Sequence, residues 1–139
     1  MIILDTNVLS ALMRAPDNRS VVEWLDGQQR LSIWTTTISI MEVRYGLAIM
    51  PAGRRRDLRL SAFERFLIDG IQDRILVFDL EAAEQTALIM AARRRVGRAI
   101  ELRDTMIAGI ALAQNATLAT RNVRHFDGLR VSVIDPWAN

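Results

Sequence analysis

The chain contains no cysteine. Disulfides and thiolate metal sites are therefore excluded. It contains no lysine either, since all 18 of its basic residues are arginine. A phosphate-cradling P-loop needs a Gly-Lys-Ser/Thr ending, so that class is excluded too. A phosphoacceptor receiver domain also places acids after its first strand, but it uses a lysine after its last and is a poor match. Glycine and proline are sparse, 7 and 3 in 139 residues, while half of the residues are hydrophobic. Such a composition suits a compact fold rather than disorder. The N-terminus has no basic leader and only the short apolar run Ile2 to Leu4 before Asp5. Neither a signal peptide nor a membrane span is expected there, and the default location is the cytoplasm. The length predicts one domain over residues 1–139, with a real core and no room for a second.

Excess charge of one sign is also missing: 18 arginines face 16 acids, for a net charge of +2. The pI of about 10.3 overstates the basicity. With a single histidine and no lysine, almost nothing titrates between neutrality and very high pH. Distribution matters more than the total. Arg54, Arg55 and Arg56 form one cluster; Arg93, Arg94, Arg95 and Arg98 form another. Arginine clusters suit phosphate recognition, but each of these taken alone reads as a solvated helix face.

What is present begins with Ile2 to Leu4, an apolar run that suits a strand buried on both sides. Polarity switches at Asp5, Thr6 and Asn7, where a helix to about Met13 begins. A loop at Ala15 to Asn18 and a helix through Val21, Val22 and Leu25, closed by Gly27, come next. Leu31 to Thr35 predicts a strand, and Thr36 to Ser39 leads into a helix running to Met50. Pro51-Ala52-Gly53 breaks it. Leu58, Phe63, Phe66 and Leu67 trace a helical stripe between Arg54 and Gly70. Ile75 to Phe78 reads as a strand, Leu80 to Val96 as a long helix stopped by Gly97, and Asp104 as the start of another helix. Thr117 to Thr120 and Val131 to Ile134 read as the last two strands, joined by a loop. Strands alternating with helices predict an α/β fold of three layers, α/β/α, around a mostly parallel sheet.

Three polar residues fall at or near predicted strand ends, Asp5, Glu42 and Asn122, and a fourth, Asp104, heads the helix that leads into the strand before Asn122. Each has a structural reading. Asp5 suits a helix N-cap. Ser39 and Glu42 have the spacing of a capping box. Asp104 lies in a first helical turn, where the macrodipole favours an anion. Asn122 suits a turn. Taken together they say more. Parallel strands bring their carboxyl ends to one edge, where open α/β sheets bind ligands. Three carboxylates gathered there repel unless neutralised. A hard dication with oxygen ligands neutralises them, and Mg²⁺ or Mn²⁺ is the natural guest. Such an ion activates water and stabilises charge on a phosphoryl group, which points to metal-assisted hydrolysis of a phosphodiester.

Five segments then carry a family resemblance: Leu4-Asp5-Thr6-Asn7, Ser39-Ile40-Met41-Glu42-Val43-Arg44-Tyr45-Gly46, Arg103-Asp104-Thr105-Met106-Ile107-Ala108-Gly109, Ala119-Thr120-Arg121-Asn122-Val123-Arg124-His125-Phe126 and Asp135-Pro136-Trp137. Together, in order and at family spacing, the chain resembles a PIN-domain toxin of the VapC/FitB type. The resemblance implies a PIN-like fold and a small Mg²⁺- or Mn²⁺-dependent ribonuclease, the toxin of a type II toxin–antitoxin pair. It further implies a homodimer. Its regulator is a VapB-like antitoxin, a small DNA-binding protein that wraps the toxin, assembles with it as a heterotetramer or larger, and inserts a basic side chain into the acidic pocket. Asp5, Glu42 and Asp104 match the three acids of the pattern. Asn122 matches the fourth polar position. Asp5 and Asp104 are then metal ligands, with Glu42 on a second metal or positioning a water. Many relatives carry Asp where this chain has His125, which leaves the fourth position uncharged. Asn122 then either ligates metal or orients a metal-bound water.

His125 has two readings: a phosphate contact or proton donor near neutral pH, and a loop residue making one backbone hydrogen bond, the preferred reading for a lone histidine. Thr6, Asn7, Ser39 and Thr120 are candidates for holding the acids by hydrogen bonds, or plain cap and turn residues. Trp24, Trp34 and Trp137 read as core or interface anchors. Met50, Leu58 and Phe66 serve a dimer interface or the core. The competing functional reading is a PIN-fold module that binds RNA or protein without cutting. Three intact acids weigh against it, because a surface that only binds RNA gains nothing from a negative pocket.

Overall fold

Ile2, Ile3 and Leu4 form β1 (Ile2–Leu4), the middle strand of a five-stranded sheet in a computed structural model that describes residues 1–98 and 100–138. The sheet order is β3-β2-β1-β4-β5, with β2 at Ile33–Thr36, β3 at Ile75–Leu76, β4 at Thr117–Ala119 and β5 at Ser132–Ile134. All four neighbouring pairs are parallel, with Ile3 opposite Trp34 on one side and Leu118 on the other. Parallel neighbours require crossovers. These are α1 (Thr6–Leu12) and α2 (Arg19–Asp26) after β1, α3 (Thr37–Ile49) and α4 (Arg54–Arg65) after β2, and α5 (Leu80–Arg95) and α6 (Leu102–Ala113) after β3.

The two-residue period of the strands sorts side chains into two cores. Ile3 and Leu118 face a core with Ile89 of α5 and Ile107 and Ile110 of α6. Leu4, Ile33 and Ala119 face the other, with Val8 and Leu9 of α1, Trp24 of α2, Val43 and Leu47 of α3 and Phe63 of α4. Alternation on a sheet covered on both sides explains why the strands read as unbroken apolar runs. The three-layer arrangement expected from the sequence is the one found. No helix among the described residues is long and apolar enough to cross a membrane.

The differences from expectation are local. The strand expected from Leu31 begins at Ile33, because Arg30–Ser32 form a 3₁₀ turn in which the Ser32 hydroxyl donates to the Gln29 carbonyl at 2.7 Å. The stripe expected to Gly70 leaves regular α-helix at Arg65 and continues as a π-turn over Phe66–Ile71. Within that stripe Phe63 is buried, but Leu58 is 59% exposed. β3 is two residues rather than four, pinned by Arg74, a buried guanidinium that donates to the Ile33 carbonyl at 2.8 Å and to the Gly70 carbonyl.

Two consequences position the site. From β1 the chain steps outward through β2 to β3, then crosses back to β4 and β5 on the other side. The strand order therefore reverses at β1, and the crevice at its carboxyl end is where such sheets bind ligands. The second consequence is that α6, which carries Asp104, is held tightly against α5 at Gly109. A Cβ there would stand 2.0 Å from Thr86 Oγ1 and 2.8 Å from the Ala82 carbonyl oxygen. Gly109→Ala is expected to cost about 1–3 kcal/mol by overpacking, read as a lower urea midpoint. An unchanged midpoint would contradict the close approach.

Candidate active site at the carboxyl edge of the sheet

Asp5 stands where β1 gives way to α1, with 2% of its surface exposed. Its backbone N–H donates to the Ala119 carbonyl at 2.9 Å and so continues the pairing with β4. Its Oδ1 accepts from the Thr6 N–H at 2.8 Å, which makes Asp5 the N-cap of α1. The capping role and the site role are thus carried by one side chain, with the other oxygen left for the site. Oδ2 accepts from the Thr120 hydroxyl at 2.7 Å and from Asn7 Nδ2 at 3.3 Å. Thr120 is held in turn, since its oxygen accepts from Asn7 Nδ2 at 3.2 Å and from the Asn122 N–H at 3.1 Å. Every donor to Asp5 is neutral, and among the described residues no cation pairs with it. Burial is the main cause that lifts its pKa from 3.8 to about 6; the bonds from Thr120 and Thr6 pull the other way, and repulsion from Asp104 and Glu42 adds to the rise.

Glu42 reaches the same place from α3. Its Oε1 accepts from the Thr6 hydroxyl at 2.8 Å, and its Oε2 lies 3.6 Å from Arg103. The capping-box reading of Ser39 and Glu42 is corrected here. Thr36 is the N-cap, its hydroxyl accepting from the Ser39 N–H at 3.1 Å. The helix thus starts earlier than that reading requires, and Glu42 is free to face α1. Ser39 belongs to this buried cap and not to the acids, unlike Thr6, Asn7 and Thr120.

Asp104 is in the first turn of α6, whose N-cap is Glu101, accepting from the Arg103 and Asp104 N–H groups at 3.0 and 3.2 Å. With the cap supplied by Glu101, the Asp104 carboxylate is available, and its Oδ2 lies 3.0 Å from His125 Nδ1. His125 is therefore more than the loop residue preferred from the sequence. Its N–H does bond the Asn122 carbonyl at 3.0 Å, but its ring is drawn to the acid.

Asp5, Glu42, Asp104 and Asn122 line one open cavity of about 370 Å³ together with Arg121 and Trp137. The topology thus brings together all four residues singled out from the sequence. Asn122 presents a side chain with no hydrogen bond among the described residues. Trp137, read as a core or interface anchor, does pack against the core of Leu4 and Val8, and it is also a wall of this cavity. Arg121 lies over its ring at 5.1 Å, and its indole N–H points to Asn18 at 3.4 Å. The edge logic that singled out Asn122 after β4 applies equally to Trp137 after β5, and that signal was present in the sequence.

The donor set suits a hard cation: oxygen ligands, negative charge in excess, and a buried carboxylate whose only partners are neutral. As placed, no three of the acidic or imidazole groups among the described residues stand close enough to hold one ion together. Each acid has partners of its own: Thr6 and Arg103 at Glu42, His125 at Asp104, and Thr6, Asn7 and Thr120 at Asp5.

An all-parallel α/β/α sheet with these acids at its switch point defines a class of protein, and the chain belongs to the PIN-domain family, whose sequence profile matches residues 2–130. It is similar to the VapC ribonuclease Y4jK of Sinorhizobium fredii, 37% identical over 99% of this chain and 98% of that one. It is also similar to the toxin FitB of Neisseria gonorrhoeae, 33% identical over 99% of each chain. Among solved structures it superposes on a chain of the FitAcB crystal structure from Neisseria gonorrhoeae with a TM-score of 0.90, at 32% identity and covering 100% of both chains.

The raised pKa of Asp5 has a consequence for stability. A folded carboxyl that holds its proton more tightly than an unfolded one stabilises the fold fully below pH 3.8, and that contribution is lost as the pH rises through 6. The loss amounts to about 3 kcal/mol. Relative to wild type, Asp5→Asn is expected to gain stability as the pH is raised from 4 to 7 in chemical denaturation. A difference that stays constant with pH would contradict the burial of an ionised Asp5.

Proposed function

We propose that this chain is an endoribonuclease toxin. It hydrolyses RNA phosphodiester bonds with a divalent cation, Mg²⁺ or Mn²⁺, and a cognate small DNA-binding antitoxin keeps it silent in the cytoplasm. One observation carries the proposal. Asp5 is a buried acid that pairs with no cation among the described residues, opening with two more carboxylates onto a cavity at the switch point of the sheet. The names of the relatives, a ribonuclease and a toxin, support the same reading.

Asp5 and Asp104 are the residues to hold the cation, and Glu42 holds a second one or positions a water. When bound, the ion offsets the carboxylates and supplies Lewis-acid stabilisation of charge developing on the phosphoryl group. The chain's own residues do the positioning. Thr120 and Asn7 fix the orientation of the Asp5 carboxylate, and Thr6 ties Glu42 to α1. The unbonded Asn122 amide orients water or a phosphate oxygen. Arg121, stacked on Trp137 at the rim, offers the RNA backbone a fixed positive charge. The antitoxin's part follows from charge: an arginine from outside satisfies the same carboxylates and excludes the cation. For a homodimer, Met41, Tyr45 and Ile49 make an exposed apolar stripe along one face of α3, a better face than one built on Leu58, which stands on α4.

Cleavage of single-stranded RNA is expected to fall at least about 100-fold in Asp5→Asn, the scale of losing one main electrostatic group, and to vanish with chelator. Equal cleavage by both proteins, or indifference to chelator, would contradict the assignment. RNA binding at full strength with no metal and no cleavage would favour a non-catalytic binding module instead. In cells, expression of this chain alone is expected to arrest growth, and Asp5→Asn to relieve the arrest; harmless expression of the wild type would count against a toxin.

A further inference from the structure

Next to the acidic cavity lies a second one, of about 340 Å³ and opposite charge. Its walls are Arg93, Arg98, Arg124 and His125, with Ile100 and Glu101. Glu101 is the only carboxylate among them, and it is already engaged, capping α6 and holding Arg103 at 2.9 Å. Arg93, Arg98 and Arg124 form no ion pair among the described residues. Arg93 departs furthest from the solvated helix face expected of its cluster. It is 7% exposed, it donates through Nη2 to the Asp127 carbonyl, and its buried Nε meets no acceptor among the described residues. A buried guanidinium with an unsatisfied donor and no counter-charge is costly, and such groups call for an explanation. An anion taken up by the cavity that Arg93 lines supplies the missing counter-charge, although the buried Nε itself stays out of its reach.

His125 ties this cavity to the acids. It lines the arginine cavity, and its Nδ1 is 3.0 Å from Asp104, which lines the acidic one. The His125–Asp104 contact thus links the two cavities. We infer that the cavity of Arg93, Arg98 and Arg124 is a phosphate subsite that grips the RNA backbone beside the phosphodiester cut at the acidic cavity. The inference rests on the ribonuclease reading above. Three carboxylates repel an RNA strand, so its grip has to come from elsewhere, and guanidinium forks match phosphate oxygens two at a time. RNA is favoured over an acidic protein segment because the cavity adjoins, through His125 and Asp104, the place where the RNA is cut, and because forked guanidiniums match the phosphates repeated along that strand.

The test is binding of a labelled single-stranded RNA in chelator, where it is not cut, across a salt series. Arg98→Ala and Arg124→Ala are both exposed positions, and a thermal melt checks that each variant is folded. Each is expected to weaken binding about tenfold and to shrink the slope of log affinity against log salt by about 0.7. Arg54→Ala, a cluster arginine on α4 away from the cavity, is the comparison and is expected to change neither. Wild-type affinity and slope in both cavity variants would overturn the subsite, as would an Arg54→Ala loss of equal size or a wild type that binds no RNA. So would variants that bind RNA normally but lose a co-expressed protein partner, since the occupant would then be protein. The two readings fail separately. Binding that depends on Arg98 and Arg124 without any cleavage by wild type supports the subsite and counts against hydrolysis. Cleavage that depends on Asp5, with unaltered binding in the variants, does the reverse.

Discussion

The structure turns on one unfavourable interaction: the Asp5 carboxylate, out of water, facing two others. Its position is not adjustable. The residue is paired to β4 through its backbone and caps α1 through one oxygen. The parallel sheet then fixes what it faces, because β1, β2 and β4 all end at the same edge and α3 sets out from that edge. Residues far apart in sequence are thus forced to share a small space. Hydrophobic burial on both faces of β1 holds the arrangement, and the repulsion is the cost of it.

The way the chain manages that repulsion is uneven, and the unevenness is informative. Glu42 has Arg103 nearby, and Asp104 has His125. Asp5, the most buried of the three, has only hydroxyl, amide and backbone donors among the described residues. The outer acids thus have side-chain partners of their own, while the central one is held by neutral donors among the described residues. A dication, if bound as proposed, would compete with Arg103 and His125 for the outer pair and, among the described residues, with no cation paired to Asp5. The same logic gives the neighbouring arginine cavity its place: negative charge concentrated on one side of His125 is matched by positive charge on the other.

Much of this was legible in the sequence, for physical reasons. A strand buried on both faces shows as an apolar run, so Ile2–Leu4, Thr117–Ala119 and the layer order could be read directly. The convergence of Asp5, Glu42 and Asn122 followed from parallel topology, and Asp104 joined them as the head of the helix leading into β4, with the family resemblance matching all four. What escaped depended on side chains whose partners are distant in sequence. The Ser39–Glu42 spacing fits a capping box, but Thr36 caps the helix and frees Glu42 for Thr6. The pairing of His125 with Asp104 spans 21 positions, and no local pattern encodes it. Arg93 sits in an arginine run that looks solvated, yet the loop carrying Asp127 covers it. Strand β3 was overestimated because Val77 and Phe78 are apolar without being paired.

The most direct measurement is anomalous diffraction from crystals of this protein soaked in Mn²⁺. A manganese peak is expected in the acidic cavity, with Asp5 and Asp104 oxygens at direct coordination distance, about 2.0–2.2 Å, and with His125 displaced from Asp104. No peak, or a peak remote from Asp5, would contradict the claim that this buried carboxylate is placed to receive a dication.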